Sequence, residues 1–337
     1  MPSPRRAQID IEATPYYHCI SRCVRRAFLC GDDAASGRNF DHRKGWVVET
    51  LAALADLFAV GVCAYGVLSN HFHLVLYVDS ESARAWDDDE VVARYTRLFR
   101  SKQDPRGRSS PGHAAEEIQT WRIRLADLSW FMRCLNESIA RRANQEDDCT
   151  GRFWEGRFRS QALLDPAGLL TCMSYVDLNP IRAGLSDSLA ESDFTSIQQR
   201  LLELAGEPAA EMGAQPALDS ARENRPRVAL IEFTPRGGVA HDATLPLDRD
   251  DYVELVRATA AALRAANPAP SMPEPAVQTL VRHGICPERW LQTLRTYHQR
   301  FFAMVGCVHQ IDIYCARTDR NHAKGSRWAA QAFLDCA

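Results

Sequence analysis

No apolar run in the 337-residue chain approaches the roughly 20 residues that a membrane-spanning helix needs. The first residues, MPSPRRAQIDIEATPYYH, carry two arginines with no apolar core behind them, so no secretory leader is expected and the expected compartment is the cytoplasm. None of the 11 cysteines falls in a Cys-x-x-Cys pair. A zinc ribbon or a disulfide framework needs tighter spacing, so small buried thiols are expected instead. A basic excess is also missing: the net charge is -3, so any nucleic-acid surface must be a local patch. Arginines do gather locally, at Arg22, Arg25 and Arg26, and again at Arg141, Arg142, Arg152, Arg157 and Arg159. Acidic residues concentrate at 87–90 and 146–148.

What the sequence does contain is alternating periodicity. YYHCISRC at 16–23 is rich in aromatic and β-branched residues and predicts a strand. Val47, Leu51, Leu54, Leu57 and Phe58 fall at helical spacing and predict a helix over 46–60, closed by Gly61. Two apolar runs follow, 62–68 and 71–78, with Ser69 and Asn70 between them suited to a tight hairpin turn. The stretch 79–122 interrupts the pattern and reads as an insertion with a short helix at 88–98. Leu128, Phe131, Met132, Leu135 and Ile139 restore helical spacing over 125–144. A short strand at 158–164 leads to a helix capped by Asp165 with Pro166 at its first position, running to about Asn179.

With the insertion set aside, this order predicts an α+β fold with a ferredoxin-like βαββαβ unit at 1–206. An Ala-, Pro- and Gly-rich stretch at 207–227 reads as a linker. Helical patterns at 250–266, 275–281, 287–304 and 327–333 predict an appended, mostly helical C-terminal domain over 228–337, of unreadable role.

Two features bear on chemistry. His71-Phe72-His73 lies inside an apolar strand, so both imidazoles share a face and can reach one metal ion. Alone, a His-x-His reads more readily as two histidines on a polar sheet face. Tyr175 and Asn179, in YVDLN, are spaced to share a helical face, although Pro180 biases Asn179 away from helical geometry. The Asn oxygen suits Mg²⁺ or Mn²⁺, and Mn²⁺ also accepts imidazole. Taken together, two histidines and one asparagine around a divalent ion, beside a tyrosine hydroxyl, form a site for attack on a phosphodiester.

On these residues the sequence resembles the HUH endonucleases, and within them the REP-associated tyrosine transposases in their long form with a C-terminal extension. YGVLSNHFHLVLYV is similar to the His-hydrophobic-His signature, and SYVDLNPIRAGL to the tyrosine helix. YYHCISRCVRRAFLCG, GRFWEGRFRSQALL and WDDDEVVARYTRLF agree with other parts of the family pattern over about 14–186. One departure is Ser69-Asn70, where many members have Pro-Asn.

The resemblance implies metal ligands His71, His73 and Asn179, with Tyr175 as nucleophile. It implies cleavage and rejoining of single-stranded or hairpin DNA of repetitive palindromic elements, through a 5′-phosphotyrosine, by a monomer or homodimer. Arg22, Arg152, Arg157, Arg159 and Arg182 are candidate phosphate contacts. Phe153, Trp154 and Phe158 serve either as base-stacking rings or as core, and His18 reads as a hydrogen-bonded core histidine. Two alternatives stay open: a non-catalytic nucleic-acid-binding regulator, and a metal-dependent phosphoesterase that uses water.

Overall fold

The structure is a computed structural model that describes residues 8–24, 29–32, 37–99, 114–206, 225–238, 244–265, 271–320 and 324–334. Arg25, Arg26, the middle of the expected insertion and most of the expected linker lie outside these residues. Strands β1 (Tyr16–Arg22), β2 (Val60–Val67), β3 (His71–Val78) and β4 (Arg159–Leu163) pair antiparallel in the order β2-β3-β1-β4. Helix α1 (His42–Ala55) connects β1 to β2, and α2 (Ser80–Ala85), α3 (Asp88–Phe99), α4 (Ala115–Leu125) and α5 (Leu128–Glu146) lie between β3 and β4. After β4 come α6 (Pro166–Asp177), the short α7 (Asn179–Arg182) and α8 (Ser196–Gly206). The fold is therefore α+β, as the periodicity indicates.

β2 and β3 are apolar almost without a break because both faces of the sheet are covered. On one face α1 packs on α5 and on β2. The predicted stripe Leu128, Phe131, Met132, Leu135 and Ile139 of α5 is buried, each side chain contributing about 1.5–3 kcal/mol. Asp127 caps α5 by accepting from the Trp130 N–H at 2.8 Å. The acidic cluster at its C-terminal end has a structural use. Arg43 of α1 is fully buried and pairs with Glu146, at 2.6 Å, and with Asp147. α1 begins and ends earlier than its periodicity predicts, because Leu57 and Phe58 are buried in the turn after the helix and mimic its continuation.

The remaining residues add β5 (Glu232–Phe233), β6 (Thr244–Leu245), α9 (Arg249–Arg264), α10 (Glu274–Arg282), α11 (Pro287–Arg300), β7 (Met304–Val305), α12 (Val308–Arg317) and α13 (Ser326–Ala332). This stretch packs on the sheet and shares its hydrophobic cluster. β7 pairs parallel with β4 and makes a fifth strand. Its approach is close: a Cβ on Gly168 would stand 2.6 Å from the Val305 carbonyl oxygen, and one on Gly306 2.8 Å from Asp165 Oδ2. Asp165 holds the junction, one carboxylate oxygen accepting from Gly168 N–H at 2.7 Å as the cap of α6 and the other from Cys307 N–H at 2.6 Å. Among the described residues no helix is long and apolar enough to cross a membrane.

Candidate active site

Strand geometry sets the first half of the site. His71 and His73 project from the same face of β3 with ring centroids 4.8 Å apart, while Phe72 turns to the other face and meets Trp154 at 5.6 Å. In register, His73 lies between Ile20 of β1 and Gly66 of β2. Gly66 has no side chain to hold α6 away: a Cβ there would stand 3.2 Å from the Val176 carbonyl oxygen. That close approach brings the Tyr175 ring centroid to 5.6 Å from that of His73.

α6 ends at Asp177 and α7 starts at Asn179, so Tyr175 and Asn179 sit on successive helical segments, not on one unbroken helix. The backbone at Leu178 keeps helical dihedrals (φ -88°, ψ 0°), and both side chains still reach His73. Asp177, between them, is buried and accepts from Ser196 Oγ, the Ile197 N–H and the Tyr252 hydroxyl of α9. It anchors the segment from the side away from the histidines.

A directional hydrogen-bond chain orients His73. Gln161 Nε2 donates to the Phe302 carbonyl at 3.2 Å, which fixes the amide and leaves Oε1 as acceptor. That oxygen accepts from the Tyr297 hydroxyl at 2.7 Å and meets His18 Nδ1 at 3.1 Å, so His18 carries its proton on Nδ1. His18 Nε2 must then accept, and it does so from His73 Nδ1 at 2.9 Å. The His73 lone pair is left on Nε2, facing Asn179 Nδ2 at 3.1 Å. His71 obeys the same logic, with Nδ1 at 2.5 Å from Asn70 Oδ1, leaving Nε2 as its lone pair. Each imidazole thus has its Nδ1 proton held by a neighbour, the arrangement that orients histidine ligands in metal sites.

Burial pushes the His18 and His71 pKa values down to about 4, and that of His73 well below its usual range. For His71 and His73, nearby charge, Arg22 included, acts in the same direction. All three are neutral at neutral pH, the state in which imidazole donates to a metal. Among the described residues no group of three or more His, Cys, Asp or Glu side chains is placed to hold an ion. A divalent ion would therefore rely on His71 Nε2, His73 Nε2 and the Asn179 side-chain oxygen, brought inward by an amide flip. Two imidazoles and one amide oxygen fit Mn²⁺ and, less readily, Mg²⁺.

Tyr175 is 5% exposed. Tyr297 of α11 stacks on its ring at 4.2 Å, and the Arg182 guanidinium lies 4.4 Å from the ring centroid. Burial raises the Tyr175 pKa, and Arg182 opposes that rise through its charge and a hydrogen bond. Arg182, with a smaller contribution from Arg22, favours the phenolate here.

Arg152, Arg157 and Arg159 are exposed and line, together with Tyr175, an open cleft of about 970 Å³. Arg22 is exposed on β1, opposite His71 in register. Phe153, Trp154 and Phe158 are buried, and the Trp154 indole N–H is spent on the Asn136 carbonyl at 2.8 Å. They are core, not stacking surfaces. Sequence reasoning missed Asn70 and Gln161 as orienting groups, and missed the whole wall that α11 and the residues around 302 and 320 give to the cleft.

No family profile matches the chain, and no curated protein does either. A solved structure of a REP-associated tyrosine transposase bound to a REP hairpin is similar over 66% of this chain and 96% of that one, at 12% identity and a TM-score of 0.35. A score of that size fixes neither the fold nor the function of this chain.

Proposed function

We propose that the protein cleaves and rejoins DNA by attack of Tyr175 on a phosphodiester, on a ferredoxin-like frame in which β1-α1-β2-β3-α5-β4 is the βαββαβ unit. The observation that carries this reading is the convergence on one sheet face of two neutral, oriented imidazoles, an asparagine amide and a tyrosine whose ring lies against a guanidinium. His71, His73 and Asn179 would hold Mg²⁺ or Mn²⁺. Such an ion, when bound, polarises a phosphoryl oxygen and offsets the charge that builds in the transition state.

The chain's own groups do the rest. Arg182 lowers the cost of ionising Tyr175, whose hydroxyl proton passes to the water of the open cleft. The Tyr175 oxygen then bonds to phosphorus, the bond from phosphorus to the 3′-oxygen breaks, and that oxygen takes up a proton. The 5′-phosphate stays on Tyr175 as an ester, which keeps the bond energy for rejoining by reversal. Arg152, Arg157, Arg159 and Arg22 supply the local positive surface that a net charge of -3 does not. The active form is a monomer or a homodimer, and Tyr175 beside His73 of its own chain supports the monomer. The substrate is single-stranded or hairpin DNA, such as repetitive palindromic elements, as the sequence resemblance implies.

The test is a labelled hairpin with single-stranded flanks, incubated with protein and Mn²⁺ and resolved under denaturing conditions. The expected result is a covalent complex with the 5′-phosphate side of the cut strand, absent for Tyr175→Phe while binding is kept. Cleavage by Tyr175→Phe at the native rate would assign the attack to water. Binding by the native protein without any cleavage would leave a regulator.

A further inference from the structure

The cleft beside Tyr175 has two walls. One is the arginine-bearing edge before and within β4, already assigned to phosphate contacts. The other is made by the C-terminal stretch, through His298, Phe302 and Arg320, and no role has been given to it. Its chemistry differs from that of the first wall. Phe302 is 52% exposed, a large apolar ring left facing water at the rim of a charged cleft. Of the tyrosine and phenylalanine rings that line the cleft among the described residues, Tyr175, Tyr297, Phe158 and Phe301 are buried and Phe302 is exposed. Lys324 Nζ stands over one face of the ring, 5.7 Å from its centroid, so a stacking base would take the opposite face. Arg320 lines the same wall.

The charge balance selects the occupant. Among the described residues, Arg152, Arg157, Arg159 and Arg320 line the cleft against one carboxylate, Asp319. His298 is held neutral at neutral pH by partial burial and by Arg182 and Arg22, so it offers a hydrogen bond, not a charge. A polyanion that also carries flat rings matches both walls at once. In single strands each phosphate is followed by a base with a free π-face, and an exposed aromatic ring beside arginines is the usual way such a strand is held.

We propose that the C-terminal stretch builds a nucleotide subsite in which Phe302 stacks an unpaired base of the strand whose phosphate lies at Tyr175, with His298 and Arg320 flanking it. This rests on the DNA-cleaving reading and deepens it. It gives the C-terminal region a direct part in substrate binding, and it favours substrates unpaired next to the cleavage position, since a paired base cannot turn onto Phe302.

The experiment is binding of a fluorescent hairpin with single-stranded flanks to the full chain and to Phe302→Ala and Phe302→Trp, repeated with oligonucleotides abasic at each flank position in turn. Phe302→Ala is expected to weaken binding by about 5- to 150-fold, the range for one base–aromatic stack, with Phe302→Trp at or above native affinity. At one flank position the abasic substitution is expected to erase the difference between the native protein and Phe302→Ala. The variants' thermal melts check folding, and the half-exposed ring makes little change expected there. If the native protein binds DNA but Phe302→Ala binds equally well, or no abasic position couples to it, the subsite is overturned while the DNA reading stands. If the native protein binds neither hairpin nor single strand, the DNA reading fails and the subsite with it.

Discussion

Replacing Gln161 by leucine removes one amide on which three buried partners depend. Its oxygen accepts from His18 and from the Tyr297 hydroxyl, and its nitrogen donates to the Phe302 carbonyl. Leucine fills similar space but satisfies none of them. Each buried donor left without an acceptor costs about 1–3 kcal/mol, so the two donors together set a loss of about 2–6 kcal/mol. Part of that loss is specific to the tyrosine hydroxyl and reversible. Adding Tyr297→Phe to the leucine variant deletes the orphaned O–H and keeps the stack on Tyr175, so about 1–3 kcal/mol should return. The assay is urea denaturation, without metal, of the native protein, both single variants and the double variant. A second reading comes from Mn²⁺ titration by calorimetry. With His18 no longer oriented by Gln161, His73 loses its fixed Nδ1–H partner, and Mn²⁺ affinity should fall by about 10- to 100-fold, the usual effect of removing such a support. Strictly additive stability losses would show that the Tyr297–Gln161 bond is not made. Unchanged Mn²⁺ affinity in Gln161→Leu would show that the chain of bonds does not prepare His73 for a metal.

Acid should weaken the metal-free protein in a defined window. His18 and His71 titrate near 4 in the folded chain and near 6.5 when unfolded, so between these values the unfolded state binds more protons and stability falls as pH drops from about 6.5 to 4. The fully buried His18 alone accounts for about 3 kcal/mol of this, and His18→Gln should flatten that part of a stability–pH curve; an unchanged slope refutes the assignment. His71→Ala and His73→Ala should both abolish Mn²⁺ binding in calorimetry, but only His73→Ala should also lower the urea midpoint strongly, because it strands His18 and Asn179 whereas His71 is half-buried at the edge. DNA affinity should fall steeply with salt, and Arg157→Ala and Arg159→Ala should each lower the log–log slope by about 0.7–0.9; slopes that do not move would take these arginines off the phosphate path.

The parts of the site that sequence revealed are those fixed by local geometry. A strand puts His71 and His73 on one face whatever surrounds them, and Asp165 with Pro166 marks where α6 starts. Tyr175 and Asn179 were placed together by helical spacing, although Pro180 splits that helix and the pairing survives only because Leu178 keeps helical dihedrals. The rest depends on chain segments far apart. Gln161 is an ordinary polar residue in a five-residue strand until Tyr297 arrives from 136 positions away. β7 has two residues, too few for any period, and its pairing with β4 is set by tight approaches at Gly168 and Gly306. Phe153, Trp154 and Phe158 show the converse: rings interleaved with arginines look the same in sequence whether they face a base or the core, and here they face the core.

These long-range contacts lead to a last prediction, for a chain cut after residue 227. The part removed includes Tyr252, Tyr297, Met304 and Val305, all buried and all set against residues of the first part: Asp177, Tyr175 and Gln161, and the β4 edge at Ala162 and Leu163. At about 1.5–3 kcal/mol each, these four side chains amount to about 6–12 kcal/mol, the size of a whole domain's stability of about 5–15 kcal/mol. The cut also leaves a buried carboxylate, Asp177, without its tyrosine partner, and leaves the β4 edge unpaired. Residues 1–227 alone should therefore lack a cooperative urea transition, bind a hydrophobic dye and fail to bind Mn²⁺, although they contain His71, His73, Tyr175 and Asn179. Supplying residues 228–337 as a separate polypeptide should restore part of the transition. A fragment 1–227 that unfolds cooperatively near the native midpoint and retains Mn²⁺ affinity would show that the C-terminal stretch rests on the first part of the chain without holding it together. The subsite at Phe302 would then be an addition to an already complete site.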